Sequence, residues 1–108
     1  MNKAGITSRG EGRYALTGEL TFGTVPELWR SSSGTFANDT AVRLDLAGIS
    51  RVDSAGIAML IELTRLVRNR GGKISLEHAP PQLMAIATVS GLEEVLPFAH
   101  ETSDFPEN

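Results

Sequence analysis

The stretch Ala41-Val42-Arg43-Leu44-Asp45-Leu46-Ala47-Gly48-Ile49-Ser50-Arg51-Val52-Asp53-Ser54-Ala55-Gly56-Ile57 decides the fold, because the spacing of its apolar residues changes along it. Val42, Leu44 and Leu46 alternate with Arg43 and Asp45, which predicts a strand over 41–46 with one face buried. After a break at Gly48, Ile49 and Val52 bring the chain back to the core edge. From Gly56 onward the period is helical: Ile57, Leu60, Ile61 and Leu63 through Val67 form a broad apolar side, and Glu62, Arg65, Arg68 and Asn69 remain for solvent. Gly71-Gly72 ends this helix, since the residue after a helix often takes positive φ. Arg51 to Gly56 is therefore a strand-to-helix turn.

Upstream, Tyr14 and Leu16 alternate with Arg13, Ala15 and Thr17, which predicts a strand over 12–20 paired with another around Ile6 through the turn at Gly10 to Gly12. Thr24-Val25-Pro26-Glu27 has the form of a capping box, with Pro26 in the first turn of a helix that carries Val25, Leu28, Trp29 and Phe36 toward the core. Downstream, Lys73 to Glu77 is a short strand. Ala79-Pro80-Pro81 opens a helix with Leu83, Met84, Ile86, Ala87 and Val89 inward, and 95–98 is a closing edge strand. Strands alternating with helices make a parallel βαβαβ core. The expected class is α/β: a mixed sheet with an N-terminal hairpin and helices packed on it. One domain is expected over 1–98, followed by a disordered acidic tail over 99–108.

The bulk properties narrow the chemistry. A chain of 108 residues that is 41% hydrophobic and 21% charged supports a packed core. It contains no cysteine and two widely separated histidines, His78 and His100, so no thiolate chemistry, metal site or cofactor is expected. No apolar run suits a bilayer span or a signal peptide, which points to a cytoplasmic location. Of the net charge of -3, the segment 93–108 supplies five acids (Glu93, Glu94, Glu101, Asp104, Glu107) and no Lys or Arg, which leaves about +2 elsewhere (-3 + 5). That is too weak for a nucleic-acid footprint. The basic residues Arg65, Arg68, Arg70 and Lys73 suit a helix C-terminus, where cations complement the dipole, with contact to an acidic partner or anionic lipid headgroups as the alternative.

The turn at Asp53-Ser54-Ala55-Gly56 carries the chemistry. Either Asp53 or Ser54 can cap the following helix, worth ~1 kcal/mol, and the unpaired amides there favour an anion such as a phosphate on Ser54. A hydrolase elbow would need glycine two residues before the serine, where this chain has Val52, and a histidine partner that neither His78 nor His100 is placed to supply. Candidate contact residues are Arg51, Asp53, Ser54, Ala55, Gly56 and Ile57. Trp29 is open to either core packing or partner contact.

On Leu16-Thr17-Gly18-Glu19-Leu20, Pro26-Glu27-Leu28-Trp29, Ser50 to Gly56 and Val95-Leu96-Pro97, the chain resembles the STAS domain family, named for sulfate transporters and anti-sigma factor antagonists. The resemblance implies a mixed α/β sheet and a non-enzymatic, protein-binding role. It is most similar to the branch of small cytoplasmic subunits that bind and support the ATPase of a phospholipid-moving ABC transporter. The alternative is the antagonist branch, whose turn serine is phosphorylated and whose partner is a serine kinase or anti-sigma factor. The transporter branch often carries threonine where this chain has Ser54. Both branches imply a contact centred on the Ser54 hydroxyl, with membrane contact only indirect, through the transporter.

Overall fold

The computed structural model describes residues 4–32, 34–35 and 39–99. Strands β1 (Gly5–Gly10) and β2 (Arg13–Leu20) form an antiparallel hairpin, followed by α1 (Val25–Ser32), β3 (Ala41–Val52), α2 (Ser54–Asn69), β4 (Lys73–Glu77) and α3 (Pro81–Val89). The sheet order is β1-β2-β3-β4, and β2–β3 and β3–β4 are parallel pairs. This is the mixed α/β sheet expected. Each parallel step moves one place in the same direction, so right-handed crossovers put α1 and α2 on one face. That face buries Leu16, Leu20, Val42, Leu44, Leu46 and Leu76 against Leu60, Leu63 and Val67 of α2 and Leu83 of α3. Every such leucine removed from water contributes about 1.5–3 kcal/mol. The opposite face is polar. There Arg43 pairs with Glu77 at 3.7 Å, and Asp45 pairs with Arg9 at 2.9 Å and with His78 at 3.0 Å.

The structure corrects four local expectations. First, β3 does not stop at Leu46 but runs through Gly48 to Val52. Asp45 to Gly48 lies opposite Ala15 to Thr17, and Ile49 to Arg51 lies opposite Gly18 to Glu19, so β3 gains one extra residue at each step. These two bulges explain why the buried positions step from Leu46 to Ile49 to Val52 and hide the strand's period. Gly48 is needed at the first bulge, where a Cβ would approach the Thr17 methyl to 2.8 Å.

Second, Thr24 does not form the reciprocal capping box with Glu27. Its hydroxyl donates to the Glu19 carbonyl at 2.5 Å and accepts the Thr21 amide at 3.0 Å, which fastens the β2–α1 loop to the end of β2. Third, Val89 is 88% exposed rather than inward. On α3 the buried pair is Leu83 and Ala87, and a residue two places beyond Ala87 faces away from it. Fourth, 95–98 contributes a single parallel bridge, Leu76 with Phe98, instead of a full edge strand. Hydrogen bonds from the Leu76 amide to Pro97 and from the Ala99 amide to Leu76 hold it. Phe36 and residues 100–108 of the expected tail lie outside the described residues.

Candidate functional site

At the carboxyl end of β3 the sheet hands the chain to α2. Asp53 has extended backbone angles and caps the helix, accepting the Ala55 amide on Oδ1 at 2.8 Å. Its carbonyl accepts the Ile57 amide at 3.1 Å, and its own amide donates to the Leu20 carbonyl at 3.1 Å. The other carboxylate oxygen accepts the Phe22 amide, also at 3.1 Å. One residue before, the Val52 amide donates to Oε1 of Gln82 on α3 at 2.9 Å. The turn is thus fastened to β2, to the β2–α1 loop and to α3.

With Asp53 acting as the cap, Ser54 is released from that duty. It is exposed, it is the first residue of α2, and among the described residues its hydroxyl has no hydrogen-bond partner. Ala55 is half-buried. Gly56 and Ile57 are buried, so they shape the turn from beneath rather than present a surface. Gly56 is where α2 touches the sheet: a Cβ there would lie 2.5 Å from the Leu20 carbonyl oxygen and 2.7 Å from the Val52 side chain. Arg51 is exposed at the end of β3. Trp29 is half-buried and packs against the core from α1.

The structure adds a residue the sequence did not point to. Phe22 follows β2, and its side chain is 71% exposed while its amide is held by Asp53. Its loop is closed by the Thr24 hydroxyl and by the Gly23 amide, which donates to the Thr21 hydroxyl at 3.3 Å. The available signal was an aromatic between polar residues in a short loop.

The described residues contain no helix long and apolar enough to cross a membrane and no group of three or more side chains able to hold a metal. Of the titratable groups near the sheet, Asp45 has its carboxyl pKa lowered, chiefly by the Ala47 amide it accepts, then by His78 and Arg9. The Tyr14 hydroxyl is pushed up to about 12 by burial, then by its hydrogen bond to Asp39.

The family model for the Mlab, STAS domain matches residues 7–97. The chain is a STAS domain. This STAS domain is 31% identical over 84 residues to the intermembrane phospholipid transport system binding protein MlaB of Escherichia coli K12, covering 77% of this chain and 84% of that one. It is 22% identical over 81 residues to the anti-sigma-B factor antagonist of Bacillus subtilis 168, covering 75% and 74%. Its fold matches that of the anti-sigma factor antagonist SpoIIAA in its unphosphorylated form with a TM-score of 0.67 at 20% identity, over 91% of this chain and 89% of that one.

Proposed function

We propose that this STAS domain is a non-enzymatic subunit of an ABC transporter that moves phospholipids between the inner and outer membranes, and that it binds and supports the transporter's ATPase through the face around Ser54. The observation that carries the reading is the division of labour in the turn. Asp53 takes the capping bonds, so the Ser54 hydroxyl stands free on a backbone fastened from three sides. A rigid, unpartnered hydroxyl costs little to dock, because few degrees of freedom remain to be lost. The similarity to MlaB supports the choice of partner. In this reading the domain is cytoplasmic and reaches the membrane only through its complex. Arg51, Asp53, Ser54 and Ala55 form or border the contact, and Gly56 and Ile57 set its shape.

Co-expression with the ATPase subunit, with a tag on either partner, tests this. The wild-type chain should co-purify with the ATPase, and Ser54→Asp should abolish the complex while leaving the fold intact. Failure of the wild type to co-purify, or indifference to Ser54→Asp, overturns the reading.

The serine at position 54 and the similarity to the Bacillus antagonist favour a second reading, in which a kinase phosphorylates Ser54. Phosphate would add about -1.5 to -2 charges beside the Asp53 carboxylate and expel the partner by repulsion and desolvation. Incubation with an anti-sigma serine kinase and ATP decides it, since an unmodified Ser54 by mass spectrometry removes this reading.

A further inference from the structure

A single exposed apolar side chain is ordinary on a protein surface. Phe22 differs in how it is held. Its amide is fixed by Asp53, the residue immediately before Ser54, and its loop is closed by the Thr24 hydroxyl on the Glu19 carbonyl. The ring is 71% exposed on a backbone with little freedom to retract it. Among the described residues the other exposed large apolar side chains, Val89 at the end of α3 and Val95, have no such bond to the Ser54 turn.

We propose that Phe22 is the apolar anchor of the Ser54 interface, entering an apolar pocket with a basic rim on the protein partner. This rests on the reading that a protein docks on the Ser54 turn. An aromatic ring carried on a fixed backbone has only its two side-chain torsions to lose on insertion and takes a large apolar area out of water, which is the usual character of a binding hot spot. The rim follows from the surroundings. The Asp53 carboxylate accepts the Phe22 amide, and the next residues of the loop, Gly23 and Thr24, line with Leu28, Ser31 and the exposed Glu27 a shallow hollow of about 220 Å³. Arg51 is the exposed cation at the end of β3. The two carboxylates Asp53 and Glu27 outnumber the single cation Arg51, which disfavours an anionic lipid surface. A protein pocket with arginine or lysine around an apolar floor matches both features.

The test uses the full chain and the co-expressed ATPase subunit, with Kd measured for the wild type, Phe22→Ala, Phe22→Leu and Ser54→Asp. Phe22→Ala should weaken binding by roughly 10- to 100-fold, and Phe22→Leu should recover part of the loss. Both variants should stay within about 0.5 kcal/mol of the wild-type stability in urea, since Phe22 is 71% exposed. If Phe22→Ala binds as wild type does while Ser54→Asp does not, the anchor is overturned and the partner assignment stands. If the wild type fails to bind, the partner assignment falls and the anchor with it. Two results in the chain alone would also overturn the proposal, by giving the ring another occupant: self-association abolished by Phe22→Ala, or Phe22-dependent binding to phosphatidylglycerol vesicles.

Discussion

The Asp53 carboxylate accepts the Phe22 amide at 3.1 Å across 31 residues of sequence, on the oxygen not used to cap α2. One side chain thereby fixes both the start of the helix and the loop beside it. Asp53→Ala removes both bonds and should destabilise the fold by about 2 kcal/mol, the upper end for loss of a cap. Asp53→Asn keeps one acceptor oxygen and can serve the cap or the loop but not both, so about half that loss is expected. Urea denaturation of the two variants checks the order, and amide exchange at Phe22 reports the loop directly.

Gly56→Ala separates helix propensity from packing. Alanine improves an exposed helix by about 1 kcal/mol relative to glycine. Here its Cβ would meet the Leu20 carbonyl oxygen at 2.5 Å, and backbone cannot swing aside as a flexible side chain can. The expected sign is therefore opposite: a loss of about 2–3 kcal/mol as α2 is pushed off the sheet. A urea midpoint equal to or above the wild type's would refute the close approach.

How much of this was legible beforehand follows from which features are local. The helix from Ser54 and the strand through Val42, Leu44 and Leu46 carry their periods openly, and the parallel order follows from their alternation. The continuation of β3 to Val52 was hidden because each bulge shifts the alternation by one residue, which mimics a strand end at Gly48. Either Asp53 or Ser54 could have been the cap on residue type alone. The choice is made by the hydrogen bond of Asp53 to the Leu20 carbonyl, which depends on strand register. Phe22 could not be read as a site residue for the same reason, since its neighbour Asp53 is brought to it only by the docking of β3 on β2. Thr24 was misjudged because its hydroxyl oxygen accepts the Thr21 amide, and its proton goes to the Glu19 carbonyl of β2, instead of the oxygen accepting an amide of its own helix.

On the polar face, Asp45 joins three elements by accepting Arg9 of β1, the Ala47 amide of its own strand and His78 after β4. Its carboxyl pKa is depressed, so the ionised form favours the folded state. That contribution is present above the ordinary aspartate value of ~3.9 and is lost as pH falls through the lower folded value. Asp45→Ala should cost about 1 kcal/mol at pH 7, a modest figure because the Arg9 and His78 side chains are 55% and 69% exposed. The gap between variant and wild type should begin to narrow once the pH drops below about 4 and close as it falls through the lower folded value. Chemical denaturation at pH 7 and at pH 3 gives the comparison, and a gap that widens in acid would contradict the assignment.

Tyr14 is the chain's single tyrosine, so its titration is free of overlap from others. Its hydroxyl donates to the Thr35 carbonyl at 3.2 Å and to the Asp39 carboxylate, and Arg70 at the end of α2 donates to the Asp39 carbonyl at 3.1 Å. Burial first, and then the bond to Asp39, raise its pKa to about 12. A raised folded value stabilises the protein below the unfolded value of ~10 and ceases to do so as pH climbs through the folded one. Phenolate absorbance should therefore rise with a midpoint near 12 in the folded chain and near 10 in denaturant. Tyr14→Phe loses the hydroxyl's bonds and should cost about 1 kcal/mol at neutral pH. That deficit should shrink between pH 10 and pH 12, because the wild type loses the same bonds on ionising. A folded-state midpoint near 10 would mean that the hydroxyl is solvated and that Thr35 and Asp39 are not tied to β2 through it.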